Sequence, residues 1–370
     1  MKRILLRTLV IAITIAILLG FNALATRLEL DPSYHAGYVI RILMLALINV
    51  IAAVSLNLVN GFTGQFSLGH AVFFGIGAYT GGALTVYGQK YLFGHILGSS
   101  ESIGWFHGGV VLLAAMLFGG AMAALAGFVV GLPSLKLRGD YLAIVTLGFN
   151  QIVVVIIQNL NIVGGAAGFT GRYTQNGFVG IPGLTSFFWV SIVAAAVIAL
   201  SINVRRSVHG LAFESIREDE VAAEAMGVPT TRYKVTAFVL AAFLAGIAGV
   251  LYVHYNQSVA PPNMDFISSI NFVVMIVLGG LGSVTGAVIG AVLLTVLPEA
   301  LRMEPTYRLV IYSITLIVLM LVRPQGIFGR DELGRLWLKK QVRGCATLPG
   351  RTSAWLTGTI HRLLRRRMSA

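Results

Sequence analysis

The chain has 370 residues, 56% of them hydrophobic and only 11% charged, with a mean hydropathy of +0.84. No soluble globular domain of this length has that balance, so the bilayer is the expected solvent. The net charge of +13 does not make it a nucleic-acid binder: from Arg323 onward there are 11 basic and 2 acidic residues, the pattern of a positive-inside tail. Hydropathy then predicts spans at 4–25, 38–59, 66–87, 108–132, 140–160, 186–204, 235–255, 267–281, 284–300 and 307–322. The expected fold class is an all-α polytopic membrane protein of about ten transmembrane helices. The first span has Lys2 and Arg3 before an apolar run and an Ala23-Leu-Ala25 sequence after it. It reads either as a signal peptide or as an uncleaved first helix, and the second reading is preferred. The short span 267–281 either crosses fully or is re-entrant.

Basic residues test the topology. With the N-terminus inside, inner segments hold 21 Lys/Arg and outer segments 5; without the tail the ratio is still 10 to 5. The expectation is N-in and C-in. The predicted organisation is a transmembrane permease domain over 1–329 and a basic cytoplasmic tail over 330–370. The tail end lies on anionic lipid or is simply solvated. The single cysteine, Cys345, excludes a disulfide framework, and the absence of any Gly-Lys dipeptide excludes a P-loop in this chain.

Two glycine-rich stretches interrupt the apolar pattern. In 57–70, Gly61, Gly64 and Gly69 alternate with the uncharged polar residues Asn57, Asn60, Gln65, Ser67 and His70. Irregular backbone at membrane depth survives where it is buried in protein or lines a water-filled cavity. This stretch is therefore a candidate translocation-path element, or else a turn capped by Asn and Ser. The second stretch, with Gly279, Gly280 and Gly282, divides two short apolar pieces. Spans 2–5 and 7–10 run in opposite directions in this topology, so the two breaks suit an inverted repeat. No intramembrane carboxylate is available for proton coupling. His70 and His254 are the only candidates, and lone histidines at helix ends are usually just hydrogen-bonded. Energy, if used, has to arrive from a partner.

The loop 204–234 is where it would arrive. Five acids and five bases lie between Val204 and Lys234. A helix is predicted over 212–226, stopped by Gly227 and Pro229. Arg217, Glu218, Asp219, Glu220 and Glu224 are expected on its exposed face, with Ile216, Ala223 and Met226 as a narrow apolar side.

These residues carry a resemblance. Asn60-Gly-Phe-Thr-Gly-Gln-Phe-Ser-Leu-Gly-His70, Leu137-Arg-Gly-Asp-Tyr-Leu-Ala-Ile-Val-Thr-Leu-Gly148, Ile216-Arg-Glu-Asp-Glu-Val-Ala-Ala-Glu-Ala-Met-Gly227, Leu278-Gly-Gly-Leu-Gly-Ser-Val-Thr-Gly286 and Arg323-Pro-Gln-Gly-Ile-Phe328 together resemble the inner-membrane permease subunits of branched-chain amino-acid ABC importers, LivM type. The resemblance covers about 36–329. It implies that the 204–234 loop is a coupling segment with Glu220, Ala222, Ala223 and Gly227 facing an ATP-binding subunit. It also implies a LivH-type second permease, two ATP-binding cassette subunits that hydrolyse the ATP, and a periplasmic substrate-binding protein. No cofactor is expected in this chain, and its location is the bacterial inner membrane. The expected function is import of leucine, isoleucine and valine by alternating access. A urea, short-amide or other amino-acid importer, and a self-contained secondary carrier, are the alternatives.

Overall fold

A computed structural model describes residues 36–93, 105–134, 140–174 and 177–300, with a few positions between 313 and 327. The expected spans at 4–25 and 307–322, and the basic tail, lie outside the described residues apart from isolated positions in the latter span. All described residues belong to the unit Met1–Gly329.

Helix α1, Ala36–Leu56, continues without a break as a π-helix over Asn57–Phe62. A short loop leads to α2, His70–Tyr87, and α3, Gln89–Phe93. Then come α4, Trp105–Ser134, and α5, Asp140–Gln158. An irregular segment with a two-stranded hairpin, β1 Gly171–Thr174 against β2 Gly177–Gly180, precedes α6, Phe187–Arg206. Two short helices follow, α7 Val208–Glu218 and α8 Glu220–Ala225. The chain then forms α9 Thr230–Asn256, α10 Phe266–Gly279 and α11 Val284–Ala300.

Among the described residues, five helices are long and apolar enough to cross a bilayer: α1 with its π extension, α4, α5, α6 and α9; α10 and α11 are apolar but shorter. Burial sorts them. The span of α1 is 72% buried and that of α9 61%, against 39% for α5 and 28% for α6. So α1 and α9 are interior, and α5 and α6 present apolar side chains such as Ile144, Ile152 and Val155 outward.

Glycine makes the centre possible. A Cβ on Gly77 of α2 would collide with Gly246 of α9, one on Gly246 would meet Gly119 O of α4 at 2.9 Å, and one on Gly249 would meet Ala78 N at 2.9 Å. Apolar area gives no net drive between helices in lipid, so close backbone approach supplies the dispersion contact that holds α2, α4 and α9 together. The two core histidines are hydrogen-bonded, as expected for lone residues. His70 Nε2 is 2.8 Å from Ser55 Oγ. His254 Nδ1 donates to Val250 O at 2.8 Å, with Nε2 3.0 Å from Thr85 Oγ1.

Candidate functional site

The two glycine stretches meet, although more than 200 residues separate them. Asn57, on the π-helical turn, spans the seam. Its Oδ1 accepts from Gly282 N at 3.0 Å and its Nδ2 donates to Ser283 O at 3.2 Å. A π turn widens the helix by one residue, which aims the Asn57 side chain at the Gly279–Gly286 turn. Gly61 lies against the same turn, and a Cβ there would reach Gly282 N at 2.7 Å. Gly280 and Gly282 have φ of 117° and 87°, a left-handed backbone that glycine adopts without cost. Gly279 packs directly on Gly286. Ile327 N donates to Leu278 O at 2.9 Å, and Gly326 lies against Gly280 of the same turn.

The loop after the π turn is ordered by its own polar groups. Asn60 Oδ1 accepts from Ser67 N at 3.2 Å, and Asn60 Nδ2 donates to Ser67 O at 3.4 Å. Leu68 N donates to Thr146 Oγ1 at 3.1 Å, and Gly69 abuts the Thr146 carbonyl. These bonds, with Gly64 at φ 69°, explain why α2 begins at His70 and not at the expected residue 66. The side-chain amide of Gln65 is buried without a hydrogen-bond partner, as is Ser67 Oγ.

Arg217 enters this seam from the 204–234 loop. Its Nη1 donates to Gly61 O at 2.6 Å. Cβ atoms on Gly64 and Gly282 would strike the Arg217 side chain, at 2.8 Å from Cγ and 2.5 Å from Nη1. Three segments that were separate in the sequence thus form one junction. Arg217 was expected on an exposed helix face; it is instead half-buried and pairs with backbone.

The loop itself differs from the single helix expected over 212–226. Ser207 Oγ caps Gly210 N, so α7 starts at Val208. The helix breaks at Asp219, which is extended at φ −159°, ψ 112°. The Asp219 carboxylate accepts from Val221 N and Ala222 N at 2.9 and 3.1 Å. An aspartate that caps a new helix gains those bonds at the expense of continuing the old one. Gly227, φ 84°, ends α8. Gly227 N donates to Glu224 O and Val228 N to Ala223 O, the bond pair of a Schellman stop.

One acid folds back, and a second is hydrogen-bonded while staying on the exposed face where it was expected. Glu220 Oε1 pairs with Lys234 Nζ at 2.6 Å, and Lys234 is nearly fully buried. Glu224 Oε1 accepts from Thr230 Oγ1 at 2.7 Å. Ile216 and Ala223 are buried as expected, but Met226 is 84% exposed. Glu218, Asp219, Val221, Ala222 and Gly227 are exposed beside it. Sequence reasoning missed Val221 and Met226 as the protruding apolar pair of the loop. Helix α8 starts afresh at Glu220, which rotates Met226 away from the face of Ile216.

The loop is a pair of short helices, α7 and α8. It is tied to α9 by an ion pair and to the π-turn junction by a guanidinium. It has no proton-transfer or nucleophile set, and among the described residues no three His, Cys, Asp or Glu cluster as a metal site would require.

Known proteins share this sequence pattern. The family described as "Branched-chain amino acid transport system / permease component" matches residues 38–320. The high-affinity branched-chain amino acid transport system permease protein LivM of Salmonella typhimurium is 33% identical over 311 residues, covering 76% of this chain and 68% of that protein. LivM of Escherichia coli is 33% identical over 309 residues, with the same coverage. The permease protein LivH of Salmonella typhimurium is 33% identical over 175 residues, 45% of this chain and 56% of LivH. No solved structure matches the chain.

Proposed function

Since the chain belongs to the family of branched-chain amino acid transport permease components, we propose that it forms one half of the membrane pathway of an ATP-driven importer of leucine, isoleucine and valine. It is a multi-pass protein of the inner membrane. Its partner in the bilayer is a LivH-type permease, whose similarity to this chain suits a pseudo-symmetric pair. One of two ATP-binding cassette subunits docks on the 204–234 loop, and a periplasmic binding protein delivers the substrate. The full bundle has about ten spans, N-in and C-in, with inverted-repeat character. The meeting of Arg217, Gly61 and Gly282 supports that topology, because it requires all three loops to lie on one side of the membrane.

One observation carries the coupling mechanism: Arg217 of the docking loop reaches the backbone of the first glycine stretch and touches the second. Motion of α7 and α8, driven by closure of the ATP-binding subunits, withdraws or advances the guanidinium. That changes the packing of the π turn against the Gly279–Gly286 turn, and the inner end of the path opens or shuts. Asn57, Asn60, Gln65, Ser67 and His70 then act as the polar frame of that inner gate. Val221, Met226 and the exposed Glu218 form the surface that the ATP-binding subunit grips.

The test is uptake of labelled leucine and labelled urea in cells lacking the gene, with and without its restoration, under ATP depletion. Restored leucine uptake that needs ATP is the expected result. Restoration of urea uptake alone would replace the substrate. Leucine uptake that survives ATP depletion and follows the membrane potential would replace the coupling mechanism with that of a secondary carrier.

A further inference from the structure

At the end of α9 opposite the 204–234 loop, the same helices enclose a cavity of about 480 Å³. That is within the size range of small-molecule sites. Asn49 of α1, Tyr252 of α9, Asn263 of the following turn and Asn271 of α10 supply its polar groups. Phe272 and Met275 of α10 and Phe74 of α2 supply its apolar wall. Among the described residues, no carboxylate, lysine, arginine or histidine lines it.

The hydrogen bonds leave a defined set of unused groups. Asn263 is fully engaged: its Oδ1 accepts from Ala260 N and its Nδ2 donates to the Tyr252 hydroxyl, both at 2.9 Å. The Tyr252 hydroxyl therefore accepts from Asn263, and the Asn256 side chain also bonds to it. Asn49 Nδ2 donates to Thr295 Oγ1 at 2.9 Å, which leaves its Oδ1 to accept. Asn271 is exposed toward the cavity. Asn271 thus offers donors, and an acceptor waits at Asn49. A zwitterion with an aliphatic side chain fits this set. A ligand of net charge would enter an uncompensated apolar site, which is costly at membrane depth.

We infer that this cavity is the outward-facing subsite for a neutral, zwitterionic amino acid. Its carboxylate meets Asn271, its ammonium meets Asn49, and its side chain lies on Phe272 and Met275. The inference rests on the import reading and adds the place where the substrate waits. Eight residues of α10, about 12 Å of helix, separate Asn271 from Gly279 at the closed junction. The cavity therefore stands above the gate in the same pair of helices.

The experiment uses the whole transporter in spheroplasts washed free of periplasmic protein. The native cysteine is removed as Cys345→Ser, and Ser268→Cys or Ile267→Cys, both at cavity-lining positions outside the proposed ligand contacts, is introduced. A membrane-impermeant thiol reagent is added outside, with and without millimolar leucine, lysine, glutamate or urea. Leucine is expected to slow modification at least fivefold at both positions, and the other three compounds to have no effect. Equal rates with and without leucine, no modification from outside at either position, or protection by urea and not leucine would each overturn the inference. Leucine uptake by intact cells carrying Cys345→Ser is measured alongside. Its absence would strike the import reading, whereas normal uptake with unprotected cysteines strikes only the cavity.

Discussion

The guanidinium of Arg217 donates to the carbonyl oxygen of Gly61 across 2.6 Å, joining residues 156 apart in the chain. A charged donor on a half-buried backbone acceptor contributes about 1.5–3 kcal/mol. Arg217→Ala is expected to lower leucine uptake at least tenfold while the complex still assembles and hydrolyses ATP. The ratio of transport to hydrolysis, measured in proteoliposomes, checks this. An unchanged ratio would mean that Arg217 transmits nothing.

Lys234 is buried and Glu220 neutralises it. Removing one partner of a buried pair leaves an uncompensated charge and costs about 3–5 kcal/mol, with the lower end apt because Glu220 is partly exposed. Glu220→Lys is expected to lower the thermal midpoint in detergent and to abolish uptake. The double variant Glu220→Lys with Lys234→Glu is expected to recover part of the midpoint. Equal midpoints for the single and double variants would show that the pair is not what holds α8 to α9.

Gly227 has open space around its Cα, so its requirement is conformational and not steric. Gly227→Ala at φ 84° is expected to cost about 1 kcal/mol, and Gly227→Asn less, because asparagine tolerates the left-handed region. Uptake is expected to fall in the order Gly, Asn, Ala, with Pro abolishing it. Uptake of the Ala variant above that of Asn would contradict the role of the stop.

Asn57 holds the seam with both ends of its amide. Asn57→Asp keeps the acceptor for Gly282 N but turns the donor to Ser283 O into a second, repelled oxygen. Asn57→Asp and Asn57→Ala are both expected to lower stability by about 1–3 kcal/mol. The thermal midpoint and leucine uptake of each variant give the comparison. A variant of wild-type stability would remove Asn57 from the junction.

Much of this was legible in the sequence. Spans such as 38–59, 108–132 and 235–255 correspond to α1, α4 and α9, because long apolar runs report burial in lipid directly. The stop at Gly227 was also visible, since its cause is local. The junction was not. Periodicity cannot say that Arg217 turns inward, because its acceptor is a carbonyl on a distant turn and the glycines that admit it carry no side-chain signal. The break at Asp219 escaped for a different reason: capping and helix continuation are close in free energy, and the residues around Asp219 favour both. The cavity amides Asn49, Asn263 and Asn271 lie on three different elements, and no spacing rule links them.

The glycine contacts of α9 have a mechanical consequence. From Thr230 at the loop to Gly246 and Gly249 the helix runs roughly 24–28 Å, and from there to Asn256 about 10–15 Å, at ~1.5 Å per residue. If α9 tilts about that contact, it moves as a see-saw with unequal arms. A displacement of the loop end returns roughly a quarter of its size, in the opposite direction, at Tyr252. A push on the 204–234 loop would then reach the cavity at the far end of α9 as a smaller, reversed movement, without any hinge in between.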